Sequence, residues 1–143
     1  MSNLAHTVKR TVLLAAEPAE VWEALTDEAL LSEWLAPEVE LDPRQGGELV
    51  CRFDDGEERR GEVAVVEEAE RLAFTWQREE GGESWVEWIV DAVADGTRLT
   101  VIESGPWADF GNMSPEIGPS AVVAGWAPRL GALRLLLGRL VLA

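Results

Sequence analysis

Apolar and polar residues alternate through most of the chain with the period of about two that is typical of half-buried β-strands. The segment TVKRTVLLAA predicts a first strand over residues 8–15. After residue 37 the segments VELDP, GELVCRF, RRGEVAVVEE, RLAFTWQ, SWVEWIVDAV and TRLTVIES continue the pattern, and Gly-containing stretches such as the hairpin tip REEGGE and the Asp95-Gly96 turn separate them. We therefore expect a meander of antiparallel strands.

Helical spacing replaces this alternation in two places. Pro18 suits the first turn of a short helix, a second begins with Thr26 or Asp27 as N-cap, and Pro37 ends it. The segment GPWADFGNMSPEIGPS is a Gly- and Pro-rich loop, and after Pro119 the chain is predicted to be helical to its end. Apolar residues there recur at three- and four-residue steps, which places one stripe on a long helix: Val122, Val123, Trp126, Leu130, Leu133, Leu137 and Leu140.

This order of elements predicts an α+β fold, with a curved antiparallel sheet of about six or seven strands wrapped around the long C-terminal helix. We expect residues 1–143 to form a single domain. A twisted sheet and an amphipathic helix bury their apolar faces against each other. If the sheet curls away at one end, an apolar cavity remains there, and the two short helices close its side.

The charge of the chain changes which partners are expected. A net charge of −15 repels phosphate backbones and anionic lipid headgroups, so we expect no nucleic-acid and no membrane partner. The N-terminus has no signal-peptide pattern, and Arg134 and Arg139 interrupt the apolar C-terminal segment. The single cysteine, Cys51, excludes an intramolecular disulfide, which fits a cytoplasmic location.

Side chains that commonly carry chemistry are scarce. The chain has one His (His6), one Lys (Lys9), one Cys and no Tyr. It lacks zinc-ligand spacing, a calcium-binding loop and nucleotide-binding glycine motifs. We therefore expect no metal and no cofactor.

Six segments, in order, resemble one known superfamily: VKRTVLLAAEPAEVWEALTDEALLSEWL, RQGGEL, RGEV, ERLAFTW, GTRLTVIESG and GWAPRLGALRLLL. Together they resemble the START-like helix-grip proteins, which include polyketide cyclases and Bet v-type members. Within them the chain is similar to the branch named after the activator of the Hsp90 ATPase, whose recurring tryptophans match Trp22 and Trp34. The resemblance implies a helix-grip fold that binds a hydrophobic small molecule, although a minority of members catalyse cyclisation or hydrolysis. The His or Tyr found in cyclase cavities has no counterpart here.

The inward faces of these elements supply the candidate cavity. Strand alternation places Phe74 and Trp76 on one face, and it places Trp88 with Val86 and Val90. The same pattern also fits an ordinary packed core, which stays an open alternative. The candidate lining residues are Trp34, Cys51, Phe53, Phe74, Trp76, Trp88, Leu99, Val101, Glu103, Phe110, Trp126 and Leu130.

Glu103 shares a strand face with Leu99 and Val101. An unpaired carboxylate buried there would cost several kcal/mol. It could act as a general acid or base, or anchor a polar ligand group. Alternatively, Glu103 lies at the strand end, where it is solvated or paired with an arginine, and Arg10 is then the candidate partner.

Three functions remain after these considerations. The first is non-catalytic binding of a hydrophobic small molecule, the second is a cyclase or hydrolase using Glu103 or Asp91 as a cavity carboxylate, and the third is a chaperone ATPase activator-like interaction domain. The scarcity of catalytic residue types favours the first. Two further hypotheses concern apolar residues: Trp107, Phe110 and Met113 form a lid, and Leu135, Leu136 and Val141 contact a second copy in a homodimer.

Overall fold

The computed structural model describes residues 6–54, 56–78, 81–105 and 126–142 of the chain. The described elements follow the predicted order of one strand, two short helices, a strand meander and a final helix. Their bounds are β1 His6–Leu14, α1 Pro18–Thr26, α2 Glu28–Trp34, β2 Glu38–Leu41, β3 Glu48–Arg52, β4 Glu58–Glu67, β5 Arg71–Arg78, β6 Gly81–Val93, β7 Gly96–Gly105 and α3 Trp126–Leu142.

The strands form one antiparallel sheet in the order β1-β7-β6-β5-β4-β3-β2. The meander from β2 to β7 is continuous, and β1 adds to its far edge by pairing with β7, so that Val8 lies opposite Glu103. The sheet is curved, and α3 lies in its grip. The α+β helix-grip prediction is therefore confirmed, with seven strands in the described part of the chain.

Local irregularities in β4 and β5 help the sheet to bend. The register of β4 shifts between Val63 and Val65, and a bulge of this kind bends a strand. Nearby, Gly61 lies opposite Trp76, and a Cβ atom at Gly61 would stand 1.5 Å from the carbonyl oxygen of Thr75. Only glycine allows the two strands to approach this closely beside the Trp76 side chain.

The predicted hairpin tip between β5 and β6 is shorter than expected. Arg78 still pairs with Gly81 across the two strands, beyond a register shift at Gln77. The glycines there indicated a turn, but Gly81 continues the ladder and β6 begins with it, so most of the predicted tip belongs to the strands.

Trp34 ties the two short helices together. Asp27 is the N-cap of α2, because its Oδ1 accepts a hydrogen bond from the backbone N–H of Leu30 at 3.1 Å. At the other end of α2, the indole Nε1 of Trp34 donates to the carbonyl oxygen of Ala24 in α1 at 3.0 Å. Because the Trp34 ring is also buried, the helix pair is held against the core rather than being a solvated surface element.

The buried side of α3 is wider than the predicted stripe. Trp126, Leu130, Leu133 and Leu137 are buried as expected, but Leu136 is buried as well. The expectation that Leu136 is a surplus apolar residue for a second copy is therefore wrong, because α3 lies deep enough in the grip to bury a broad face. Leu135 is 70% exposed.

Some predictions lie outside the described residues. They concern the candidate lid of Trp107, Phe110 and Met113, the start of the final helix after Pro119, and the side chain of Val141. None of the helices in the described ranges is long and apolar enough to cross a membrane.

Candidate functional site

An aromatic cluster occupies the interior between the sheet and α3. Trp76 of β5 stacks on Trp126 of α3, with ring centroids 5.7 Å apart and planes 16° from parallel. Phe74 meets Trp88 edge to face at 5.0 Å, and Trp88 meets Trp34 at 5.4 Å. Such pairs contribute about 0.5–1.5 kcal/mol each beyond their buried area. The five predicted cavity residues named here thus pack largely against one another.

Glu103 lies inside this cluster and is fully buried. Trp76 donates its Nε1–H to Glu103 Oε2 at 3.1 Å, and Trp126 donates its Nε1–H to Glu103 Oε1 at 2.8 Å. Each carboxyl oxygen of Glu103 thus accepts from one indole of the cluster. Glu103 therefore joins β7, β5 and α3 through one side chain.

The expected partner of Glu103 occupies a different environment. Arg10 is exposed on the edge strand β1 and donates to the carbonyl oxygen of Lys9 at 3.2 Å. The Glu103 carboxylate, by contrast, is buried and accepts hydrogen bonds from the two indoles. Its burial also excludes the alternative of a solvated strand end.

Asp91, the second candidate carboxylate, is on the outer face of the sheet. Val90 is buried, and the next residue, Asp91, is exposed, as strand alternation requires. The hypothesis that Asp91 is a cavity carboxylate is therefore wrong.

Trp88 offers a buried hydrogen-bond donor. Its side chain is 1% exposed, and its Nε1 has no hydrogen-bond partner among the described residues. A buried polar group without a partner costs about 1–3 kcal/mol. An acceptor atom beside Trp88 Nε1 would remove this cost.

A second group of side chains extends from the aromatic cluster along β3 and β4. Cys51 and Arg59 lie directly opposite each other on these strands. Arg59 is 2% exposed, and its Cζ lies 4.9 Å from the centroid of the Trp76 ring and 6.0 Å from that of Phe53. Its Nε donates to Glu57 Oε2 at 3.2 Å. A guanidinium thus lies in the interior, where cation–π contacts help to stabilise it.

Arg129 of α3 approaches the same ring. Its Cζ lies 5.6 Å from the centroid of Phe53, and its Nε donates to the carbonyl oxygen of Leu35 at 3.0 Å. Burial, and secondly the positive charge of Arg59, lower the pKa of Arg129 to about 10, whereas Cys51 and Glu57 oppose the shift. Arg129 is therefore charged at neutral pH.

Cys51 completes this group as a neutral thiol. Burial raises the pKa of Cys51 to about 12, although Arg59 and Arg129 favour the thiolate. The thiol therefore stays protonated at neutral pH and is a poor nucleophile. This agrees with the expectation that Cys51 is a buried, inward-facing residue.

A pocket of about 410 Å³ opens beside this group, between α2, α3 and the turn after β3. Its volume is within the range of small-molecule sites. Trp34 is the predicted cavity residue that lines it. The full lining consists of Ser32, Glu33, Trp34, Leu35, Ala36, Pro37, Asp54, Pro128, Arg129 and Ala132.

A separate, open groove of about 1010 Å³ lies on the other side of α3, next to the end of β1 and the β6–β7 turn. Leu13 and Leu135 line it, and both are largely exposed. The groove also contains Arg98 and Arg134.

The inward direction of most predicted cavity residues is clear from their burial. Phe53 is half-buried, Phe110 lies outside the described residues, and the remaining ones are buried: Trp34, Cys51, Phe74, Trp76, Trp88, Leu99, Val101, Glu103, Trp126 and Leu130. Burial does not establish that they line a cavity, and that role stays a prediction.

Arg59 and Arg129 were missed by sequence reasoning. Arg59 shares its strand face with Gly61 and the buried Val63, so the alternation in RRGEV contained the signal. Arg129 adjoins the apolar stripe on the final helix. Within the described ranges, no three His, Cys, Asp or Glu side chains converge to hold a metal ion.

Known proteins with similar sequence or structure are consistent with this architecture. The family described as activator of Hsp90 ATPase homolog 1-like protein matches residues 15–138. Among solved structures, DynU16, a protein of the dynemicin biosynthetic locus, has a TM-score of 0.76 and 32% identity over 92% of this chain and 47% of its own. This chain therefore spans about half the length of DynU16.

Two further structures have the same fold. MLL2253 from Mesorhizobium loti has a TM-score of 0.74 and 26% identity, and the match covers 94% of this chain and 98% of that one. CalU16 from Micromonospora echinospora has a TM-score of 0.67 and 24% identity, with 93% and 75% covered. No curated protein matches the chain.

Proposed function

Because the chain belongs to the activator of Hsp90 ATPase homolog 1-like family, within the START-like helix-grip superfamily, we propose that it binds a hydrophobic small molecule without transforming it. The observation that carries this proposal is the pocket of about 410 Å³ between α2, α3 and the turn after β3. DynU16 is a protein of a biosynthetic locus, which fits a role beside a biosynthetic product.

The pocket adjoins the predicted interior through Trp34. This side chain lines the pocket, and its ring contacts that of Trp88 at 5.4 Å. The ring of Trp34 thus lies between a ligand in the pocket and the buried indole of Trp88. Leu35, Ala36 and Ala132 supply apolar surface, and Arg129 supplies a polar contact. A largely apolar lining with a few polar groups is typical of small-molecule sites.

The contacts of Glu103 favour binding over catalysis. A general acid or base must reach a proton of the substrate. Each oxygen of the Glu103 carboxylate instead accepts an indole N–H from the surrounding core. We infer that this carboxylate orients Trp76 and Trp126 rather than moving protons.

Native mass spectrometry of the freshly purified protein tests the proposal. We expect a species heavier than the 15.7 kDa polypeptide by one small molecule, and the added mass should disappear under denaturing conditions. The extracted compound, added back, should change the fluorescence of the seven tryptophans.

A matched pair of variants locates the binding site. Ala132→Phe fills the pocket from α3 and should abolish the bound mass, whereas Ala127→Phe adds the same ring on the exposed face of that helix and should retain it. Purification without any bound compound, together with no fluorescence response to a panel of hydrophobic ligands, would contradict the proposal.

A further inference from the structure

We propose that the ligand is a hydrophobic carboxylate, whose acid group binds Arg129 while Arg59 supplies a second positive charge behind it; this inference rests on the proposed function. The inference concerns the chemical class of the ligand. It comes from the placement of two guanidiniums at the pocket and in the adjoining interior.

The positions of these two arginines differ from those of other arginines in this acidic chain. Arg52 and Arg60 lie on the surface of the sheet and form ion pairs with glutamates, such as Arg52–Glu40 at 2.8 Å. Arg59 also pairs with a glutamate, Glu57, at 3.2 Å, but it is almost fully buried, and Arg129 is partly buried. Removing a guanidinium from water is costly, so an interior position needs compensation from nearby groups.

Both charges converge on the Phe53 ring. The Cζ atoms of Arg59 and Arg129 lie 6.0 and 5.6 Å from its centroid, and both charges act on the neutral thiol of Cys51. Two like charges at such a site repel each other. The lowered pKa of Arg129 has burial and the charge of Arg59 as its leading causes, so the surroundings favour an added negative charge there.

The geometry of Arg129 suits a carboxylate. Its Nε–H bond to the carbonyl oxygen of Leu35 holds the plane of the guanidinium at the pocket wall. A planar guanidinium matches the two oxygens of a carboxylate, which is the basis of bidentate recognition.

The distribution of charge also orients the ligand. Glu33 and Asp54 line the pocket as well, and both are exposed. Because they repel an anion, the acid group must lie at Arg129, with the apolar body of the ligand against Trp34 and Ala132. Solvent screens the exposed carboxylates more strongly than it screens the partly buried Arg129.

A pair of probes of nearly equal shape tests this inference. Naphthalene-2-carboxylate and naphthalene-2-carboxamide differ in charge but carry the same ring system, and isothermal titration calorimetry measures both. A hydrogen bond to a charged group is stronger than a neutral one, so we expect the acid to bind about tenfold to a hundredfold more tightly at neutral pH.

Variants on α3 assign the effect to one side chain. Arg129→Gln should weaken binding of the acid about tenfold or more and change binding of the amide by less than about twofold. Arg129→Lys keeps the charge but loses the planar fork, so its loss should be intermediate. Arg134→Gln removes an exposed charge from the same helix, outside the pocket, and should change neither affinity.

The outcomes separate this inference from the proposed function. Equal affinities for acid and amide, or an equal effect of Arg129→Gln on both, would overturn the carboxylate inference and leave small-molecule binding intact. If neither probe binds and a wider hydrophobic panel also fails, the proposed function fails and the inference falls with it. Thermal unfolding of each variant, followed by circular dichroism, establishes that the affinities refer to folded protein.

Discussion

Replacing Glu103 with glutamine keeps the shape of the side chain but removes one acceptor. In the wild type, one carboxylate oxygen accepts from Trp126 at 2.8 Å and the other accepts from Trp76 at 3.1 Å. A glutamine amide can accept from one indole, but its NH₂ group then faces the other indole, donor against donor. The substitution therefore tests whether Glu103 joins the sheet to α3.

The expected loss of stability follows from these two bonds. Leaving a buried donor without its acceptor costs about 1–3 kcal/mol, and we expect Glu103→Gln to destabilise the fold by that amount. Glu103→Leu removes both acceptors and should cost about 2–6 kcal/mol.

Urea unfolding, followed by tryptophan fluorescence and circular dichroism, measures the free energy of unfolding. A double-mutant cycle with Trp126→Phe, which removes the donor of the shorter bond, should give a coupling energy of about 1.5–3 kcal/mol. Glu62→Gln, on the exposed face of β4, is the control and should change stability by less than about 0.5 kcal/mol. A Glu103→Gln variant as stable as this control, or a coupling of zero, would refute the reasoning.

Four further predictions follow from the described structure. Cys51 should react slowly with thiol reagents in native protein at mildly alkaline pH and rapidly in urea, and fast native labelling would contradict its burial. The pKa of Cys51 in the folded protein, about 12, exceeds the ordinary 9.0, so the contribution of Cys51 to stability is complete below pH 9 and is lost as the pH rises towards 12. The free energy of unfolding in urea should therefore fall less at alkaline pH for Cys51→Ala than for the wild type. Gly61→Ala should destabilise the protein by about 3 kcal/mol in urea unfolding, because the added Cβ would clash with Thr75. Gly131→Ala on α3 adds a Cβ that meets open space and should stabilise the protein by about 0.5–1 kcal/mol. Equal effects of the two substitutions would contradict the close approach of the strands. If the predicted homodimer forms through the exposed Leu135, sedimentation velocity at micromolar concentration should show twice the 15.7 kDa mass for the wild type and a monomer for Leu135→Ser; a monomeric wild type would reject this prediction.

Strand faces could be predicted from the sequence because they depend on a local period of two. The alternation in SWVEWIVDAV placed Val86, Trp88 and Val90 on the inner face, and all three are buried. Asp91 follows Val90 and is exposed by the same rule, so its proposed place in the cavity contradicted the pattern that defined the strand.

The partners of Glu103 could not be predicted in this way. A buried carboxylate favours a basic partner, and Arg10 was the candidate because its position in the strand places it on the same face as Val8 and Val12. The donors are instead indole N–H groups that lie 27 residues before and 23 residues after Glu103. Tryptophan was interpreted as apolar area alone, although a buried indole usually needs an acceptor.

The state of the interior also depends on three-dimensional packing. Sequence alternation shows that Trp76 and Trp88 point inward, but it does not determine how far their rings lie from the tryptophan rings of the helices. The Trp76–Trp126 stack arises because β5 and α3, which are distant in sequence, meet in the fold. Arg59 occupies an inward strand position although it is charged, and charged residue types seldom indicate a buried side chain.

Residue-resolved NMR tests the central claim most directly, because indole and guanidinium N–H signals report contacts at individual side chains. Titration with naphthalene-2-carboxylate, or with the compound recovered from the purified protein, should shift the Trp34 indole and Arg129 Nε–H signals together, saturably and with one ligand per chain. The indole signal of Trp85, which lies on the face of β6 opposite Trp88, should stay in place. If saturating ligand leaves the Trp34 and Arg129 signals unmoved, the proposed small-molecule site between α2 and α3 is wrong.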